Sequence, residues 1–194
     1  EAFARETWHG VPMEPEAYRQ VIEQMLAETG HCTILTGTTF AEVQASSGHV
    51  ESLVLADGSQ IRADAYVDAT GDALLAVACG CETTFGQEGR AAFDEPDAPE
   101  EPTGHLNGTT LIYRVTPVEE PGIEPLPAGI PSDCWWRDTF PVASIVQYPC
   151  GDLNVNVLPT MEGRETYDLG HEAAYAECRR RVLAHWHHAQ KTFP

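Results

Sequence analysis

Positive charge is what this sequence has least of: 11 lysines and arginines stand against 30 aspartates and glutamates, a formal charge of −19 over 194 residues. Nucleic acid and anionic membranes are bound through clustered cations, so neither is an expected partner, and the excess acid reads as a solubility feature. Long apolar runs are also missing. None approaches the roughly 20 residues that cross a bilayer. The opening EAFARETWHG lacks the basic region and the apolar core of a signal peptide. A cytoplasmic location is the expectation, although a chain that starts at Glu1 leaves room for a preceding leader.

Several catalytic and metal spacings are absent as well. Cys32, Cys79, Cys81, Cys134, Cys150 and Cys178 contain no CxxC pair, which excludes the usual zinc ribbon and iron–sulfur arrangements. Cys79 and Cys81 form a CxC after a small apolar run; packing as two small hydrophobes is preferred to a redox role. His185, His187 and His188 fall in HWHH, about two turns after Cys178, but no HExxH or ExxH spacing completes a metal set. They are expected at an exposed helix end, and no metal is expected. A GxSxG elbow is missing, so a serine hydrolase is set aside.

With 42% hydrophobic residues the chain can bury a genuine core, as one domain or as a domain with a small second lobe. Glu1 to Pro15 is a polar opening segment that carries Trp8 and Met13. Tyr18, Val21, Ile22, Met25 and Leu26 then repeat at i, i+3, i+4, i+7, i+8, which predicts an amphipathic helix over Glu16 to Thr29 between Pro15 and Gly30. Cys32 to Leu35 reads as a buried strand and Thr38 to Gln44 as extended chain. Val50 to Ala56 and Gln60 to Ala69 are predicted strands joined across Asp57 and Gly58, a pair that tolerates positive φ.

The second of these strands ends in VDATGD, where Ala65, Tyr66, Val67 and Ala69 read as buried. The chain turns at Thr70, Gly71 and Asp72 and re-enters as a small apolar helix, Ala73 to Ala78. A strand that stops at a glycine before a helix brings bare backbone amides to a sheet edge, where α/β proteins hold nucleotides. Downstream, the acidic, proline-rich stretch Asp94 to Pro102 and the stretch Pro117 to Pro131 read as loops. Thr109 to Val115, Val142 to Tyr148 and Leu153 to Leu158 read as strands of a second sheet, and Leu169 to Gln190 as a helix.

This order of elements resembles the FAD-dependent oxidoreductase family with a glutathione-reductase-like FAD/NAD(P)-binding fold. The matching stretches are a helix ending LAETG, CTILTGTTFAEV, VESLVLADGSQIRADAYV, the DATGD turn, and LNGTTLIYRV. The resemblance runs from about Tyr18 to Arg114 and more loosely to the end. It implies an α/β class: a partial FAD/NAD(P)-binding fold with a β-meander crossover, a second, mainly β substrate-type lobe, and a C-terminal helix. The boundaries it suggests are 1–93 for the middle part of the FAD-binding domain, 94–168 for the β lobe with its proline-rich loops, and 169–194 for the helix.

FAD is the implied cofactor, and a small molecule of unknown identity the implied substrate. No GxGxxG occurs in the chain, and the family's closing glycine–aspartate element is missing too, so the resemblance is to an interior segment, expected to be inactive alone. Asp68, Ala69, Thr70, Gly71 and Asp72 match the family's DATGD, where the turn approaches the nucleotide portion of the cofactor. Phe40 stands where the family usually has a small apolar residue whose backbone meets the adenine. On the substrate side Tyr113 and Arg114 are the first candidates, with Gln147, Asn154 and Asn156 behind them; each is otherwise an outward residue of an alternating strand. Arg114 stands out as a cation able to clamp a carboxylate bidentately. The catalytic residues and the oligomeric state are not legible. Two functions follow: a segment of a flavin-dependent oxidoreductase, or a non-catalytic α/β binding or interaction module without flavin.

Overall fold

The computed structural model describes residues 13–120 and 122–192. Most of the polar opening segment, Trp8 included, lies outside them. Two compact units are formed, Gln20–Phe85 and a second made of Glu1–Arg19 with Gly86–Pro194. Helices and two small antiparallel sheets give a mixed α/β chain.

Helix α1 covers Pro15–Glu28, within a residue of its predicted span. Among the described residues nothing covers its apolar stripe: Tyr18, Val21, Ile22 and Met25 are all exposed, Met25 by 59%. Strands β1 (Phe40–Ser46), β2 (His49–Leu55) and β3 (Gln60–Ile61) form one sheet in that order. Val43 lies opposite Leu53, and Leu53 opposite Ile61. The β1–β2 turn is Ser47–Gly48, both at positive φ (50° and 76°), the geometry a two-residue hairpin prefers. The β2–β3 turn falls at Asp57 and Gly58 as predicted: Gly58 has φ +84°, and the Ser59 amide donates to Asp57 Oδ1 at 2.9 Å. Leu55 and Ser52 are buried on this sheet, and the Ser52 hydroxyl is satisfied by Gln44 Oε1 at 2.7 Å.

Two predicted strands of this unit are not formed. Residues 32–35 carry no strand, and of Gln60 to Ala69 only Gln60–Ile61 is paired. A strand exists through its ladder, and among the described residues β1, β2 and β3 pair only with one another. Ile34 and Leu35 are therefore exposed, and Val67 is 88% exposed, where burial was expected. Helix α2 (Leu74–Ala78) forms as predicted and packs on β1, but it buries only Leu75. Cys79 is half-buried and Cys81 exposed, so the expected packing role fails for Cys81.

In the second unit the acidic loop is closed rather than free. Helix α3 (Arg90–Phe93) precedes it, Gln87 pairs with Thr103, and the Arg90 guanidinium donates to the Ala98 carbonyl at 3.2 Å. Strands β4 (Tyr113–Val115), β5 (Ala143–Gln147) and β6 (Leu153–Val157) make an antiparallel sheet in the order β4-β6-β5. Val155 of β6 faces Tyr113 on one side and Ile145 on the other.

Helices α4 (Gly163–Leu169) and α5 (His171–Thr192) pack against one another, parted at Gly170. Helix α4 lies within a stretch the sequence did not mark as helical. Met161, Ala174 and Cys178 form the core cluster, with Leu111 against it. Met161 and Thr109 exchange backbone hydrogen bonds of 3.0 and 2.9 Å, and the buried Thr160 hydroxyl accepts the Leu111 amide at 3.0 Å. Gly163 is obligatory here: a Cβ would stand 2.3 Å from the Asn107 carbonyl oxygen.

The buried stripe of α5 runs through Ala174, Cys178, Arg181, Val182 and His185. A buried guanidinium is tolerated only with its donors satisfied. Arg181 is 4% exposed, bonded to both Glu165 oxygens, to Glu177 at 3.0 Å and to the Thr160 carbonyl at 3.2 Å, and it lies over the Trp136 ring.

Candidate functional site

The turn after residue 67 is built by Asp68. Its Oδ1 accepts the Thr70 amide at 3.0 Å and the Thr70 hydroxyl at 2.8 Å, and its Oδ2 accepts the Ala76 amide at 3.0 Å. Thr70 Oγ1 in turn accepts the Leu74 amide at 2.9 Å. Aspartate and threonine suit this place because short oxygen-bearing side chains reach amides one turn away. These bonds, the Thr70 amide first and the Ala76 amide next, hold the Asp68 carboxyl below the usual carboxylate range.

Gly71 sits at φ +90°, and a Cβ built on it would meet nothing within 4 Å. Its face is open, and Ala69, Thr70 and Asp72 beside it are exposed. Among the described residues no hydrogen bond takes the amides of Gly71 or Asp72. The amides of Leu74 and Ala76, which would otherwise face an anion, are already taken by Thr70 and Asp68. The turn therefore offers a close, Cβ-free approach and two donors to a neutral polar edge of a ligand, beside a carboxylate that disfavours phosphate. Phe40 opens β1, opposite Leu55, and is half-buried in the same unit.

The substrate-side candidates lie in the second unit. Arg114 points outward from β4 into a set of partners: Glu14 takes Nη1 and Nη2 at 2.8 and 3.0 Å, Asp152 takes Nε at 2.6 Å, and the guanidinium lies 4.2 Å from the centre of the Tyr148 ring. Glu14 supplies the bidentate clamp that a ligand carboxylate would otherwise occupy. The hydrogen bonds from Arg114, and then from Cys150, keep the Glu14 carboxyl below its usual range.

Tyr113 turns to the other face. Its hydroxyl lies 2.9 Å from His185 Nδ1, and burial raises its pKa above the usual phenol range. Of the further candidates, Gln147 Nε2 donates to the Gly151 carbonyl at 3.3 Å and Asn154 Nδ2 to the Tyr148 hydroxyl at 3.1 Å, while Asn156 Oδ1 is buried with no partner among the described residues.

His185 is a correction to the sequence reading. It is 5% exposed rather than at an exposed helix end, with Nε2 3.0 Å from the Pro141 carbonyl oxygen. His188 stacks on Phe140 at 4.3 Å. No group of three or more His, Cys, Asp or Glu among the described residues is arranged to hold a metal ion. No helix among them is long and apolar enough to cross a membrane.

A model of the family described as FAD dependent oxidoreductase matches residues 1–193. The chain belongs to this family. No curated protein and no solved structure matches it. The chain is thus a flavin-dependent oxidoreductase segment, and FAD is the family's cofactor. The open face at Gly71 and the two donors beside it fit a dinucleotide's neutral portion.

Proposed function

We propose that residues 1–93 form the middle of the FAD-binding domain of a flavin-dependent oxidoreductase acting on a small molecule. Residues 94–168 are its substrate-type β lobe with proline-rich loops, and 169–194 its C-terminal helix. The β1–β3 meander serves as the crossover of the FAD/NAD(P)-binding fold.

The observation that carries this reading is the Asp68–Asp72 turn. Its carboxylate fixes the chain from within, so Gly71 is held at positive φ with its outer face clear. Gly71 and Asp72 would meet the ribose or adenine side of FAD through backbone, with Ala69 and Thr70 as the approach and Phe40 as an apolar wall. When bound, the flavin supplies hydride or electron transfer. The pyrophosphate is assigned to elements other than this turn, because its first helical amides are already taken. On the substrate side, a carboxylate reaches Arg114 by displacing Glu14, the more exposed of the two acids on it. Tyr113, the other candidate, lies on the opposite face of β4 with its hydroxyl engaged by His185, and does not share this contact.

The test is the flavin content, by absorbance and by release on denaturation, of protein expressed from the uninterrupted reading frame that contains this chain. About one flavin per chain is the expected result. Well-folded protein that takes up no added FAD would overturn the reading and favour a flavin-free α/β binding module.

A further inference from the structure

His185 is a buried imidazole with both ring nitrogens engaged. Nε2 faces the Pro141 carbonyl oxygen at 3.0 Å, and a carbonyl only accepts, so Nε2 carries the proton. Nδ1 is then an acceptor for the Tyr113 hydroxyl, 2.9 Å away. One ring thus ties together three pieces of chain: β4 through Tyr113, α5 through its own backbone, and the segment 137–142 through Pro141.

That segment is itself the lining, Arg137, Asp138, Thr139, Phe140, Pro141 and Val142, of an open surface hollow of about 490 Å³. It has no ladder of its own. Its fastenings are the Arg137–Glu162 ion pair at 2.7 Å, the Cys134 thiol donating to the Thr139 carbonyl at 3.4 Å, Phe140 against His185 and His188, and the His185–Pro141 bond.

We propose that His185 is a proton-operated clasp, closed on Tyr113 and Pro141 as the neutral imidazole and released as the imidazolium, and that it sets whether residues 137–142 hold the lining of this hollow in place. A second proton can go only to Nδ1. Nδ1–H then donates to the Tyr113 oxygen, the Tyr113 hydroxyl has to turn its own proton away from the ring, and a buried cation stands among aromatic rings. The groups that face the ring are the Tyr113 hydroxyl from β4, the Pro141 carbonyl and Phe140 ring from the segment, and His188 on α5 itself. Arg181 lies one turn earlier on α5 with its charge met by Glu165 and Glu177. Among the described residues no carboxylate bonds the ring to favour the charged form. Burial first, with the His188 charge adding to it, accordingly lowers the pKa of His185, against the smaller pull of the Pro141 carbonyl. The clasp is thus closed at neutral pH and opens below the ordinary histidine range.

The experiment is an NMR titration of the histidine rings in the whole chain, with the backbone order parameters of Asp138, Thr139, Phe140 and Val142 followed over the same pH range. His185 is expected to keep its single Nε2–H tautomer at pH 7 and to titrate below the ordinary histidine range. The order parameters across 138–142 should fall over that same interval from the rigid range, about 0.85, toward the flexible range below about 0.6. Tyr113→Phe keeps the ring but removes the donor to Nδ1, so it should raise the midpoint of both changes together. His185→Gln cannot titrate and should flatten the pH dependence; if it fails to fold, Tyr113→Phe carries the test. The proposal is overturned by titration of His185 in the ordinary range, by loop order parameters that stay flat through its titration, or by a midpoint that Tyr113→Phe leaves unchanged.

Discussion

A methyl group added at Gly71 would touch nothing within 4 Å, yet φ +90° still penalises it. Gly58 offers a control, with φ +84° and the same open space in a turn to which no ligand role is assigned. Gly71→Ala and Gly58→Ala should each cost about 1–2 kcal/mol in denaturant unfolding, the penalty of a left-handed Cβ. In the intact flavoprotein only Gly71→Ala should also weaken flavin binding beyond its loss of stability. Equal flavin losses in the two variants would mean that Gly71 serves the turn alone. Asp68 makes a second prediction. Its carboxyl is depressed in the folded chain, so the stability it adds is present above the unfolded value near pH 4 and is lost as pH falls through the folded one. Exchange protection of the Ala76 amide should fall on acidification below about pH 4, and Asp68→Asn should remove that dependence. Protection of Ala76 that is equal in both proteins at all pH values would contradict it.

Helix α4 depends on a close approach at its first residue, where Gly163 lies under Leu106 and Asn107. The backbone oxygen of Asn107 cannot swing aside as a long side chain would. Gly163→Ala should therefore destabilise the second unit by about 1–3 kcal/mol, read as a lower denaturation midpoint with an unchanged slope. A neutral result would show that the 106–107 segment yields freely. The same contrast of local and distant causes explains what was legible in the sequence. Helix α1, the Asp57–Gly58 hairpin and α2 were legible because each is written in periodicity or turn chemistry within a few residues. The Ser47–Gly48 turn carried a readable signal in its Ser-Gly pair. The strand at Cys32 to Leu35 and the buried end of the strand over Gln60 to Ala69 were read from apolar composition, but a strand needs a ladder, and among the described residues none is offered to them. In α5 the buried stripe passes through Arg181 and His185. Polar residues look like a solvated face until their partners Glu165, Glu177, Tyr113 and Pro141 are known. For the candidate site, the turn at Asp68–Asp72 was visible as a motif. That Arg114 is already gripped by Glu14, 100 residues earlier, was not.

Across the whole molecule the net charge of −19 sets what the surface repels, whereas the distances along the chain between bonded groups set how the second unit comes together. Arg181 reaches Glu165 over 16 residues and the Thr160 carbonyl over 21, but Tyr113 meets His185 over 72. Closing the longer loop costs more chain entropy and is rewarded only once both ends are shaped. The arginine knot between α4 and α5 should therefore form early and the tyrosine–histidine bond late. In stopped-flow experiments Tyr113→Phe should speed unfolding while leaving refolding almost unchanged; a slowed refolding arm would place this bond in the nucleus instead. A contact made last on the way in is the first broken on the way out. The hydroxyl of a single tyrosine would then govern how long the β lobe persists once made, and have little say in how quickly it is made.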